Sequence, residues 1–182
     1  AIALAGSGMI LIREVADAPV IMGISKPAGL KSPCGEVKIM NPLFVGIDVS
    51  SRNNVAYLMK PDGSKHSSFS VQNNLGGAKI LSERIVSALS SMQLSDVMIG
   101  LEATSIYGDS LVYALREDGS LGRFQRKIHV LNPKQVRKFK EAYPDLPKND
   151  WVDAFVIADH LRFGRIAKEV YMDDYRYQAL RT

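Results

Sequence analysis

Four carboxylates stand where the surrounding pattern makes an acidic side chain conspicuous. Asp48 interrupts the apolar run FVGIDV. A buried carboxylate without a partner costs several kcal/mol, so Asp48 must be paired, protonated or bound to metal. Glu102 follows a second apolar run, in GLEAT, and Asp150 and Asp153 lie three residues apart in KNDWVDAFVIADH. On a helix that spacing puts both side chains on one face, with Cβ atoms about 5–6 Å apart. Two strand carboxylates and a helical pair could converge on hard divalent cations, which take oxygen ligands. Two such ions about 3.5–4 Å apart activate an attacking oxygen and stabilise the leaving oxygen in phosphoryl transfer. The histidines and the single cysteine lack zinc-ligand spacing. Each carboxylate also has a plainer reading. An Asp at a strand end commonly serves a turn, Glu102 could neighbour a helix cap, and an acidic pair in a first helical turn gains about 0.3–1 kcal/mol from the helix dipole. Only the combination points to chemistry.

A basic segment accompanies the acidic one. Between Arg123 and Lys140 lie seven cations, Arg123, Arg126, Lys127, Lys134, Arg137, Lys138 and Lys140, and no Asp or Glu. Lys134, Arg137 and Lys138 share a helix face. A positive strip beside an acidic metal site suits a nucleic-acid backbone held over divalent ions, and such contacts orient a strand without reading its sequence. The alternative is a solvated helix face. Tyr107 and Trp151 could stack on bases, but aromatics at helical positions are more often core, and neither is counted as a site residue. His129 and His160 are expected as structural groups, and Thr104 and Ser105 lack the relay a nucleophile needs.

The elements that must position these groups follow from periodicity. PLFVGIDVS reads as a buried strand, Asn53–Asn54 as a turn, VAYLMK as a second strand, Pro61-Asp62-Gly63 as a turn and Lys65–Val71 as a third strand. Asn73–Asn74 can cap a helix whose stripe is Ala78, Leu81, Ile85, Ala88, Leu89 and Met92. Asp96–Leu101 is a fourth strand, followed by a helix ending at Glu117-Asp118-Gly119. The strand KIHVL then leads to Asn132-Pro133, which opens the basic helix, and a last helix spans Asn149 to Phe163. A meander followed by alternating strands and helices makes a mixed α/β sheet covered by helices, the order used by ribonuclease H-like domains.

Composition sets outer bounds. The 182 residues are 46% hydrophobic and 23% charged, enough for one core without staples. The lone Cys34 reads as an incidental thiol of a reducing compartment, and a net charge of +4 is compatible with a polyanionic partner. No apolar run reaches membrane-spanning length, and the apolar opening lacks a basic leader, so a cytoplasmic location is expected. Residues 1–39 are rich in Gly and Pro, without sustained period, and Met40 precedes the first patterned strand. They are expected to be a peripheral or non-native extension of a catalytic domain at 40–170.

FVGIDVS, GLEATSIYG, VLNPKQVRKFKEA and KNDWVDAFVIA resemble, in order, the blocks of the insertion-sequence transposases with a DEDD motif, the insertion-sequence one-ten group that includes Piv-type DNA invertases. The resemblance covers about residues 43 to 182; Asn149 departs from it, threonine being usual there. It implies a ribonuclease H-like, Holliday-resolvase-like domain in which Asp48, Glu102, Asp150 and Asp153 are both catalytic groups and ligands of Mg²⁺ or Mn²⁺, expected as two ions. It further implies DNA partners (element ends and target), a guide RNA, homo-oligomers of the full-length protein, and a second domain carrying a nucleophilic serine. On that reading residues 171–182 begin the connector to that domain, and this fragment is expected to be inactive alone. Two other readings remain open. One is a non-catalytic RNA- or DNA-binding fragment. The other is an actin-like ATPase, against which stands Ser50-Ser51-Arg52 in place of a Gly-rich turn. A plain resolvase or ribonuclease would be told apart by cleavage without the second domain.

Overall fold

A computed structural model describes residues 41–102, 106–143 and 145–164. The chain divides into two units between Lys38 and Ile39, and every described residue belongs to the second. The expected extension 1–39, the connector 171–182, Thr104 and Ser105 lie outside the described residues.

Five strands form one sheet: β1 (Leu43–Val49), β2 (Asn53–Met59), β3 (Lys65–Gln72), β4 (Asp96–Glu102) and β5 (Gln125–Leu131). Their spatial order is β3-β2-β1-β4-β5. The first three make the expected antiparallel meander, whereas β4 pairs parallel to β1, and β5 parallel to β4. This is the ribonuclease H-like arrangement. β1 is central and buried on both faces up to Ile47, which explains its nearly unbroken apolar run. Its residues alternate as a strand requires: Leu43, Val45 and Ile47 enter one core and Phe44 the other.

The helices cover both faces. α1 (Leu75–Ser91) and α2 (Ile106–Glu117) supply Leu81, Ile85, Leu89, Leu111 and Leu115 to the first core. α3 (Pro133–Lys140) and α4 (Asp150–Arg162) supply Val136, Val156, Ile157 and Leu161 to the second. Three helices start on asparagine caps. Asn74 accepts from the Gly77 amide, Asn132 from Lys134 and Asn149 from Val152. Among the described residues, no helix is long and apolar enough to cross a membrane.

One turn falls elsewhere than expected. Asn53–Asn54 opens β2, and the chain reverses at Ser50–Arg52. The Ser50 hydroxyl donates to the Asn53 carbonyl at 2.5 Å and accepts from its amide at 3.2 Å, closing the turn earlier. Asn54 is wholly buried, and its amide group donates to Asn73 Oδ1 at 3.2 Å, tying β2 to the loop before α1. Local turn preference loses there to a tertiary hydrogen bond.

Candidate metal centre and nucleic-acid interface

The approach of α4 to β1 sets the geometry of the acidic groups. A Cβ added to Gly46 would lie 2.1 Å from the Ala154 carbonyl oxygen and 2.4 Å from the Ala158 nitrogen. One added to Gly100 would lie 2.9 Å from Leu161 Cδ1. The α4 backbone therefore rests directly on β1, across a glycine and two alanines one helical turn apart. Asp48 is two residues beyond Gly46, on the same strand face. Asp150 and Asp153 occupy the first turn of α4, which Asn149 caps. Glu102 ends β4, parallel to and beside β1.

These carboxylates feel one another. The Asp48 carboxyl is pushed up to about 6, first by burial, then by Asp153 and Asp150, against an opposing pull from Lys140. Glu102 is raised by burial, then by Asp48 and Asp153, again against Lys140. Like charges held together in a partly desolvated place disfavour full ionisation. Acidic side chains from β1, β4 and α4 thus share one field, and the Lys140 ammonium of α3 lies within it, donating to Asp153 Oδ1 as a hydrogen-bonded ion pair. Asp150 is exposed, whereas Asp48, Glu102 and Asp153 are half-buried. An all-oxygen donor set in which burial and acidic neighbours raise the Asp48 and Glu102 carboxyls suits a hard divalent cation in chemistry and charge. In geometry, no three acidic, histidine or cysteine side chains among the described residues stand ready to hold a metal ion.

The basic residues separate into groups with different surroundings. Lys134, Arg137 and Lys138 are exposed along α3, as their spacing predicts, with Arg137 paired to Glu141 at 3.8 Å. Lys127 is half-buried on β5. Arg126, expected to meet nucleic acid, is engaged elsewhere. Its guanidinium donates to the carbonyls of Leu115 at 3.1 Å and Asp118 at 2.9 Å, and to that of Arg116, capping the C-terminus of α2. Lys140 joins the carboxylates instead of the strip.

The aromatic expectation also changes. Trp151 and Tyr107 are 43% and 45% exposed and do not belong to the core. His129 and His160 are buried, and His160 stacks edge-on against Phe139 with ring centres 4.9 Å apart. A further polar group escaped the sequence pattern. Asp159, 4% exposed, accepts from the Tyr143 hydroxyl and from Arg162 Nε at 2.8 Å, tying the loop after α3 to the end of α4. Burial and that bond push the Tyr143 hydroxyl up to about 12. Its only signal is an acid within the apolar run AFVIADHL, the same signal that marks Asp48.

Several known proteins are similar to this chain. Thermus thermophilus RuvC in complex with Holliday junction substrate shares 14% identity at a TM-score of 0.48, over 71% of this chain and 99% of that one. Thermus thermophilus RuvC in a second structure shares 14% at 0.46, over 70% and 99%. A fowlpox virus resolvase with Holliday junction DNA shares 14% at 0.36, over 67% and 95%. No curated protein sequence matches. The family profile of the IS110-type DEDD transposases, described as transposase, matches residues 45–182, a span that includes all four carboxylates and the basic helix. With that match over most of its length, the chain belongs to the IS110-type DEDD transposase family.

Proposed function

We propose that residues 40–170 form the phosphodiester-cleaving domain of a DNA transposase, with Asp48, Glu102, Asp150 and Asp153 as its catalytic, metal-holding groups. The observation that carries this reading is the shared field. Asp48 and Glu102 are both raised, first by burial and then by acidic neighbours, with the groups drawn from three separate elements, and such perturbed clusters concentrate at functional sites. When bound, Mg²⁺ or Mn²⁺, in a pair, would supply Lewis-acid stabilisation of the charge that develops in strand cleavage and transfer. The protein's own part is positioning. Direct contact of α4 with β1 at Gly46 holds the Asp150–Asp153 turn against Asp48. Lys134, Arg137 and Lys138, exposed on α3, hold phosphates alongside, with Lys127 nearer the sheet.

Family membership supports the remaining parts of the proposal: guidance by a structured RNA, homo-oligomeric assembly of the complete protein, and completion of strand transfer by a further domain joined through residues 171–182. Residues 1–39 are proposed to be peripheral, so a chain starting at Met40 should melt at the same temperature and bind Mn²⁺ equally well.

Calorimetric titration with Mn²⁺, comparing this chain with its Asp48→Ala/Asp150→Ala variant, tests the central claim. Binding by the parent and its loss in a variant with unchanged circular dichroism is the expected result. Equal binding by both would move the metal site elsewhere. Metal-independent RNA binding that survives both substitutions, with no Mn²⁺ bound by either chain, would favour a non-catalytic nucleic-acid-binding module.

A further inference from the structure

Lys140 comes from the basic helix, yet it is not on the exposed strip. Its backbone is held by the packing of α3 on α4, where Val136 is buried and Phe139 meets His160, Tyr143 and Phe163 with ring centres 4.9–5.8 Å apart. From that anchored position its ammonium reaches Asp153 Oδ1. The two side chains are 29% and 37% exposed, against 85% for Arg137. The pairing is not with Asp153 alone, since Lys140 also pulls down Asp48 and Glu102 and so stands within electrostatic reach of three of the four carboxylates.

We propose that Lys140 is the built-in counter-cation of the carboxylate cluster and competes with a divalent cation for the oxygens of Asp153. An ammonium hydrogen-bonded to a carboxylate oxygen occupies one of its lone pairs and the space a metal ion would take on that side, and two cations at such short range repel. Lys140 therefore sets the metal affinity of the site as a positioning residue: it holds the like-charged carboxylates together, and its displacement accompanies cation entry. This inference rests on the reading of the carboxylates as a metal site.

The test is Mn²⁺ titration calorimetry on the full chain and on Lys140→Met, Lys140→Arg and Lys138→Met, with circular dichroism melts to verify folding and Lys140→Gln as a second variant should Lys140→Met melt early. Lys140→Met should tighten Mn²⁺ binding at least about tenfold, the lower end of what one charged hydrogen bond lost to the competitor is worth. Lys140→Arg, which keeps the cation, should stay near the parent. Lys138→Met removes the same charge from the exposed face and should change the affinity less than about twofold, as a screened surface charge does. The unaltered chain provides a second readout. Mn²⁺ should raise the acetylation rate of Lys140, followed by mass spectrometry, and leave Lys134 and Lys138 unchanged. Equal tightening by Lys138→Met and Lys140→Met, or a Lys140 acetylation rate indifferent to Mn²⁺ that binds, would overturn the competition and leave the metal site standing. No Mn²⁺ binding by any of these proteins, Lys140→Met included, would overturn the metal reading and this inference with it.

Discussion

Asp48 shows what a half-buried carboxylate among acidic neighbours does to the protein that carries it. The unfolded chain gives up this proton near pH 3.8, the folded one near 6, because burial and then Asp153 and Asp150 oppose its charge. Between those values the folded state holds a proton the unfolded state has lost, so stability falls as pH rises across that window. The full penalty then persists at neutral pH. Asp48→Asn removes the charge and keeps the shape. In the presence of EDTA it should raise the melting temperature by about 2–4 °C at pH 7, and the gain should fade below about pH 4. Scanning calorimetry at both pH values checks this, and a parent already more stable than the variant at pH 7 would refute it. The importance of Asp48 is legible in the sequence, since a carboxylate inside an apolar strand needs a reason. The special place of Lys140 is not: helical spacing sets it apart from the face of Lys134, Arg137 and Lys138, but its partner Asp153 lies thirteen residues further along the chain.

At the scale of elements, the site depends on the contact between α4 and β1. Gly46 leaves no room for a side chain, and Ala154 and Ala158, four residues apart, let the helix backbone approach it. Gly46→Ala alters no carboxylate, yet its methyl would meet the helix backbone at 2.1 Å, with no flexible side chain to give way. It should destabilise the fold by about 3 kcal/mol, the upper part of the overpacking range, and abolish Mn²⁺ binding by tilting Asp150 and Asp153 away from Asp48. Urea denaturation and calorimetry measure the two effects, and normal metal binding in a destabilised variant would break the proposed link. Helix and strand positions were legible to within a residue or two, because apolar periodicity and asparagine caps are local signals. Asn149 also explains a departure from the family pattern, since asparagine and threonine both accept at a helix N-cap. The reversal at Ser50–Arg52 was less legible, because the partner that keeps Asn54 within β2 is nineteen residues away.

Across the described residues as a whole, charge is sorted by surroundings and not by sequence proximity. Arg126 closes the end of α2, Lys140 enters the acidic cluster, and Lys134, Arg137 and Lys138 remain exposed toward solvent. Salt dependence of oligonucleotide binding should reveal this division. Lys134→Ala or Arg137→Ala should each reduce the slope of log affinity against log salt by about one. Arg126→Ala should leave the slope alone and cost about 1–3 kcal/mol of stability, through carbonyls left without their donor. Equal slope changes for all three would return Arg126 to the interface. By itself, the sequence determined the order and type of the elements, the mixed sheet and the identity of the acidic residues, because periodicity, caps and out-of-place carboxylates are written in short stretches of chain. Only the tertiary structure decided which cation meets which anion, that Trp151 faces outward, and that a glycine beneath a helix brings the acidic elements together. Those outcomes depend on distances between segments far apart in the chain, which no local pattern encodes.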